Sequence, residues 1–394
     1  MDKLLLLILL SPYTAWVPLG ICAVYVIHKK YKFESNPLNF GLVCMAIISG
    51  ISGALNKDIL SIGGSGILLM YMTMNIWFSN HYNTSDKVES LVKKVWHLSI
   101  ITGFIGILEK LIASFWDITW YVKWYWNPTF FPSPENYRIL STFGNPNIAG
   151  DWFAALIIIS FYFVDKEKDN FKSQLKYILG GILFTVNLVF TGSKGALVAF
   201  VVAVIGYCFV KNSKKMWHYL TGLMIFIIVT FGYSVKLFET MNFRNKIWMK
   251  CIDLIGQKPI FGWGFFGIYK EIHEVHGHNI WISITTSLGF VGLVIFVLMT
   301  LYVIERSFVL IKHNVPMGPL FTSIMLLLLI HGIVDFTILA PQTGILFFAS
   351  LQIINSLAAE QEALAPAVST YQVSLLKQSI DYMKLVLVHL LKIH

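Results

Sequence analysis

The sequence predicts an all-α fold, a polytopic membrane helix bundle of about eleven transmembrane helices with one large outer loop. Three observations carry that prediction. Of 394 residues, 56% are hydrophobic and 13% charged, against roughly 25% charged in soluble domains. The apolar residues come in continuous runs, not in the alternation of a membrane-spanning β-strand. The lysines between runs fall in every second connection, the bias that orients helices in a bilayer.

In order, the apolar runs are 4–27, 38–55, 59–79, 95–112, 148–164, 177–191, 195–210, 217–235, 280–304, 317–340 and 342–357. The opening MDKLLLLILLSPYTAWVPLG looks like a signal peptide at first. It lacks an A-x-A cleavage site and stays apolar to Ile27, so a retained first span is expected. The connections with Lys29, Lys30 and Lys32, with Lys87, Lys93 and Lys94, with Lys166, Lys168, Lys172 and Lys176, with Lys211, Lys214 and Lys215, and with Arg306 and Lys312 share one side. The positive-inside rule makes that side cytoplasmic and the N-terminus external. Five connections then face outside: turns at 56–58, 191–195 and 340–342, and longer loops at 113–147 and 236–279.

Residues 1–357 thus read as a single transmembrane domain, and 358–394 as a cytoplasmic tail. Within the tail, LLKQSIDYMKLVLVHLLKIH spaces apolar residues helically with Lys377, Lys384 and Lys392 between them. An amphipathic helix on the inner leaflet is expected there. No internal repeat is visible. The net charge of +9 sits in short loops where it serves orientation, so no nucleic-acid partner is expected. Cys22, Cys44, Cys208 and Cys251 form no CxxC or CxxH pattern, which argues against a disulfide framework or a zinc knuckle.

The outer loop 236–279 holds most of the titratable chemistry: Arg244, Lys246, Lys250, His273, His276 and His278. A guanidinium grips phosphate as a fork, so Arg244 is a candidate anion clamp, with a solvated or headgroup-bound arginine as the plain alternative. Lys194, in TGSKG, opens a helix where free backbone N–H groups favour an anion. A snorkelling lysine is the alternative. HEVHGH gathers three imidazoles with Glu271 and Glu274. Its spacing is not H-E-x-x-H, and Gly277 interrupts any helix before His278, so no metal site is expected. GWGFFG spells G-x-G-x-x-G without a preceding buried strand or acidic partner. It reads as a kinked re-entrant loop with aromatics against lipid, not a dinucleotide site.

Trp116, Trp120 and Trp124 recur at i, i+4 and i+8, an interfacial belt or a sugar-stacking platform. In STFGNPNIAGDW, Asn145, Asn147 and Asp151 are suited to cap a helix or to bond sugar hydroxyls. His331 and Asp335 stand four apart, on one helical face near the outer end of their span. Ionisable groups there are either functional or a mutually satisfied structural pair.

Six motifs follow in order: RILSTFGNPNIAG from Arg138, TGSKG around Lys194, RNKIW from Arg244, PIFGWG from Pro259, HGHNIW running on to LGFVG, and HGIVD from His331. Together they resemble the superfamily of bacterial O-antigen ligases and O-antigen or capsule polysaccharide polymerases, over residues 135–350. The residues before 130 show only generic spans. The resemblance implies an integral-membrane glycosyltransferase of the cytoplasmic (inner) membrane with its site facing the outside, or periplasm. Such an enzyme moves a glycan from an undecaprenyl diphosphate carrier to an acceptor hydroxyl without metal or other cofactor.

The resemblance also implies residue roles. His278 of the His-Asn pair matches the catalytic base, and Arg244 matches the arginine that binds the diphosphate. Lys194 stands where ligases carry an Arg in a Ser-Arg-Gly turn; it keeps the charge and loses the bidentate geometry. Arg138, Asn145, Asn147, Asn279, His276 and Trp124 complete the expected substrate- and sugar-binding set, with His331 and Asp335 as a supporting pair. The expected partners are the lipid-linked donor and acceptor glycans, the bilayer and a chain-length regulator. Ligases and polymerases differ in acceptor, a lipid-A core or a second carrier-linked glycan, and the compact loop and modest length favour a polymerase. A lipid-oligosaccharide flippase is the non-enzymatic alternative. It would place its charged site near the midplane and often show repeats, whereas here the charges gather at one face.

Overall fold

A computed structural model describes residues 2–31, 33–118, 120, 137–211, 221–222 and 237–364. Among them are thirteen α-helices and no strand. The helices are α1 (Asp2–Leu10), α2 (Trp16–His28), α3 (Pro37–Leu55), α4 (Ile59–His81), α5 (Ser85–Phe115), α6 (Pro146–Lys166), α7 (Phe171–Phe190), α8 (Lys194–Lys211), α9 (Leu237–Gln257), α10 (Gly267–Ile272), α11 (Ile280–Lys312), α12 (Gly318–His331) and α13 (Pro341–Leu364). A 3-10 turn, Thr337–Leu339, precedes α13. Among the described residues, eight helices are long and apolar enough to cross a membrane, and α2 and α12 are shorter apolar helices. The expected span 217–235, apart from residues 221–222, the tail helix and Trp124 lie outside the described residues.

Two expected spans are divided between separate elements, and a third, 280–304, is broken within one helix at Gly289. The run 4–27 breaks between α1 and α2, where Ser11 Oγ accepts from Tyr13 N at 3.0 Å and Thr14 Oγ1 donates to Leu7 O at 2.7 Å. Hydroxyl side chains here offer the backbone an alternative to the helical ladder. The run 317–340 stays α-helical only to His331 and then turns through Gly332 before the 3-10 segment.

Burial ranks the spans. α6 and α13 are buried over 78% and 89% of their apolar windows, against 28% for α5 and α7. By that measure α6 and α13 are the inner members of the bundle, and α5 and α7 face outward. α3 packs on α4 and α11, α6 on α7, and α8 on α12. Interhelical hydrogen bonds satisfy polar groups within the spans: Trp96 Nε1 donates to Ser160 Oγ at 2.8 Å, and Tyr302 OH to Asn355 Oδ1 at 2.5 Å.

The connections sort to opposite ends as the lysine alternation predicts. At one end Asn56 Nδ2 donates to Gly262 O (3.2 Å), Arg138 Nε to Thr191 O (2.7 Å) and Gln342 Nε2 to Thr142 O (3.2 Å). At the other, Lys166 pairs with Glu89, Lys211 with Asp165, and Arg306 with Glu362.

The GWGFFG segment does not rest its backbone on lipid; it docks on protein. α11 is broken at Gly289, whose φ of 69° and ψ of −173° free the backbone groups on either side of it. Trp263 N and Gly264 N donate to Thr286 O (2.9 Å) and Ser287 O (2.8 Å), and Phe290 N donates to Pro259 O (2.8 Å). Ser52 Oγ of α3 adds a bond to Gly262 O at 2.9 Å, and Ser61 Oγ of α4 accepts from Phe266 N at 2.9 Å. A Cβ on Gly289 would lie 2.0 Å from Ile260 O, so only glycine allows this approach.

Candidate active site

Two helix starts aim the site. At α6, Asn145 is the N-cap, its Oδ1 accepting from Asn147 N at 2.8 Å, with Pro146 in the first turn. Asn147 and Asp151 follow one turn apart on the same helical face. At α11, Asn279 is the N-cap; Oδ1 accepts from Ile282 N (3.0 Å) and Nδ2 donates to Ile333 O (2.8 Å). Asn145 and Asn279, expected to bind sugar, thus spend these side-chain contacts on the fold. His278 stands just before the α11 cap in the left-handed conformation (φ 47°), with Trp248 Nε1 of α9 donating to its carbonyl at 3.3 Å.

Asp335 is the centre of the cluster. His278 Nδ1 lies 3.2 Å and His276 Nε2 3.6 Å from its Oδ1, and Arg244 Nη2 lies 3.6 Å from its Oδ2. Asn147 Nδ2 donates to Oδ2, and Phe336 N donates to Oδ1 at 2.8 Å. The side chain is 4% exposed, and a carboxylate so buried needs such partners to remain charged. Burial alone would raise the Asp335 carboxyl. The hydrogen bond to His278 and the neighbouring His276, His278 and His331 outweigh that and hold it well below the usual carboxylate range.

His276 packs edge-on against His278, ring centroids 4.4 Å apart. Its Nδ1 accepts from His278 N at 3.1 Å, so the neutral ring carries its proton on Nε2, towards Asp335. Burial lowers His276 to about 4, with Asp335 opposing the shift and His278 and Arg244 adding to it. His276 is therefore a neutral donor at pH 7. An apolar cavity opens beside it, lined by Tyr71, Phe265, Ile284, Phe336 and Phe348 among others.

Arg138 and the TGSKG turn join through Asn147. Arg138 Nη2 and Ser193 Oγ both donate to Asn147 Oδ1, at 2.9 and 2.8 Å, while Arg138 Nε reaches Thr191 O. Lys194 is the first residue of α8, half-buried, directly after Ser193. Burial lowers Arg138 to about 10, Asp335 opposing and Arg244 adding, so it stays cationic at pH 7. Its segment is held by Glu109 of α5, which accepts from Tyr137 OH (2.5 Å), Leu140 N (3.0 Å) and Ser141 N (2.6 Å).

The expected His331–Asp335 pair is not one. α12 ends at His331, so the one-face relation of residues four apart stops there, and the two side chains take different partners. His331 Nδ1 lies 2.6 Å from Asp151 Oδ1, both side chains fully buried. Thr337 Oγ1 donates to the second oxygen, Asp151 Oδ2, at 2.6 Å. The expected tryptophan stripe is also not one helical face, because Trp116 follows the end of α5. His273 lies exposed past the end of α10.

Sequence reasoning missed Glu109 altogether and gave Asp151 a helix-capping or sugar-bonding role, not its pairing with His331. Glu109 had a signal, a carboxylate inside the apolar run 95–112. The ligand atoms of His276, His278 and Asp335 all lie within 4.8 Å of one another, close enough to gather round a cation. Arg244 already supplies positive charge at the same carboxylate, which works against a dication there.

No curated protein matches the chain. Residues 179–297, which include Lys194, Arg244, His276 and His278, match the family model described as O-antigen ligase. That match indicates a ligase-like function in glycosyl transfer and supports the chain's similarity to the superfamily of O-antigen ligases and polymerases.

Proposed function

We propose that the Asp335 cluster is the active site of a glycosyltransferase on the outer face of the cytoplasmic membrane, polymerising undecaprenyl-diphosphate-linked repeat units of an O-antigen or capsule. One observation carries the reading: a histidine with Nδ1 3.2 Å from a buried carboxylate whose other oxygen has a guanidinium 3.6 Å away. These are a base, its orienting group and an anion clamp in one place.

With Nδ1 turned to Asp335, His278 offers Nε2 to an acceptor sugar hydroxyl, a poor nucleophile until its proton is taken. The hydroxyl oxygen attacks the anomeric carbon of the donor as its proton passes to Nε2. The bond from that carbon to the diphosphate oxygen breaks, and the lipid diphosphate leaves. Asp335 stabilises the imidazolium that forms. Arg244, Arg138 and Lys194 balance the charge growing on the leaving group, with no metal required. The apolar cavity beside His276 suits the hydrocarbon of a lipid-borne donor. The positive-inside rule sets this end of the bundle outside the cell, where ATP and nucleotide sugars are absent and a donor must already be activated. A chain-length regulator would meet the growing glycan at the same face.

The test is product size. Purified protein in lipid nanodiscs, given lipid-linked repeat units, is expected to yield a ladder of longer chains. EDTA leaves that yield unchanged. Arg244→Ala and His278→Ala each lose on the order of 10²–10³ in rate while still inserting. Absence of elongation with every lipid-linked unit offered would overturn the polymerase. The family match favours one second reading, a ligase, and the same assay with a lipid-A core acceptor separates it: one transferred glycan and no ladder.

A further inference from the structure

Asp335 lies outside any helix. The segment that carries it, between the end of α12 at His331 and the 3-10 turn from Thr337, is tied to its own neighbours by a few short-range backbone bonds: Gly332 N to Leu328 O (2.9 Å), Ile333 N to Ile330 O (3.1 Å), Val334 N and Asp335 N to His331 O (each 2.9 Å) and Leu339 N to Phe336 O (3.3 Å). Such a segment opens locally at low cost unless it is held from outside. It is held on two sides. From the α11 side, Ile280 N donates to Gly332 O (2.7 Å) and Asn279 Nδ2 to Ile333 O (2.8 Å), tying the first half of the segment to the residues after His278.

From the α6 side, one carboxylate holds both ends. Asp151 Oδ1 meets His331 Nδ1 at 2.6 Å, and Asp151 Oδ2 accepts from Thr337 Oγ1 at 2.6 Å. Asp151, His331 and Thr337 are 0%, 1% and 5% exposed, so water does not compete for these bonds. One turn earlier on the same face of α6, Asn147 donates to Asp335 itself. The helix thus presents two side chains to one loop, one gripping its ends and the other its middle.

We infer that Asp151 is a positioning residue: by bridging His331 and Thr337 it fixes the loop between them and sets Asp335 against His278. The inference rests on the reading of Asp335 and His278 as parts of the active site. It accounts for a carboxylate and an imidazole buried together at the base of the Asp335 loop. Asp151 touches no reacting atom; it acts through the loop.

The test uses the full chain in nanodiscs and three variants. Thr337→Val removes one hydroxyl at nearly constant shape, Thr337→Ser keeps it, and Asp151→Asn removes the charge. Backbone hydrogen exchange, melting temperature, turnover and the donor KM are measured for each. In Thr337→Val and Asp151→Asn, exchange across 332–336 is expected to rise about tenfold. Turnover is expected to fall about tenfold, since loss of fixed geometry acts on rate. Donor KM and melting temperature stay near wild type, and Thr337→Ser behaves as wild type throughout.

Unchanged exchange in both variants overturns the inference, as does faster exchange with unchanged turnover. A loss of turnover that merely follows a lower melting temperature, with faster exchange spread over α6 and α12, also overturns it. If Asp151→Asn does not fold, the Thr337 pair decides. If the wild-type chain transfers no glycan at all, the active-site reading fails separately. The exchange arm then still judges the clamp: acceleration confined to 332–336 supports it, and none or a spread rejects it.

Discussion

The Asp335 carboxylate is 4% exposed, so removing one of its partners leaves charge in a poorly solvating place. Asp335→Asn keeps the shape and removes the charge that orients His278; turnover is expected to fall about 10²–10⁴-fold with insertion intact, read from the same product ladder. His276 sets a pH dependence of a different kind. Its folded value of about 4 lies below the free value of 6.5. Above pH 6.5 it leaves stability untouched. As pH falls towards 4 the unfolded chain takes up a proton that the folded chain excludes, and stability drops by on the order of 1–3 kcal/mol. His276→Gln is expected to flatten the fall in melting temperature across that window; an equally steep fall would show that another group titrates. At this scale His278, Arg244, Asn147 and Asp335 were legible, because polar side chains beside apolar runs are rare enough to single out. Their pairing was not. Helical spacing joins His331 to Asp335 only while the helix continues, and it stops at His331.

Elements show the same limit. A continuous apolar run announces a span but not the point where the chain leaves it. The breaks near Gly332 and Gly289 depend on backbone partners from elsewhere in the chain, and the one near Ser11 on local hydroxyls that bond the backbone of their own turn. Gly289 gives the sharpest prediction. An alanine there must hold φ near 69° and would bring its Cβ 2.0 Å from Ile260 O, so the 258–264 segment has to move away from α11. Gly289→Ala should cost more than about 3 kcal/mol and expose GWGFFG to protease. Gly256, in α9, has nothing within 4 Å of its added Cβ. Gly256→Ala should therefore be neutral or stabilising by up to about 1 kcal/mol. Comparable losses in both, by thermal melting in detergent, would refute the account of the break.

For the whole molecule, the lysine alternation was enough to group the connections by end, because a loop's side is fixed by parity along the chain and needs no knowledge of packing. Which end faces out is a separate question with a direct measurement. Gln257 and Asn170 are exposed at opposite ends. With the four native cysteines replaced, Gln257→Cys should react with an impermeant maleimide on intact cells and Asn170→Cys should not. The reverse pattern would turn the site inward and remove the case for a lipid-borne donor. The order in which the cluster is threaded has one more consequence. Its residues run from Arg138 to Asp335, and the carboxylate on which His278 depends arrives after both α11 and α12. A chain emerging from the ribosome therefore places His278 and Arg244 well before the carboxylate that lies against both. Under the proposed function, nascent and prematurely terminated copies are silent, because they hold the histidine and the arginine without the carboxylate that both meet.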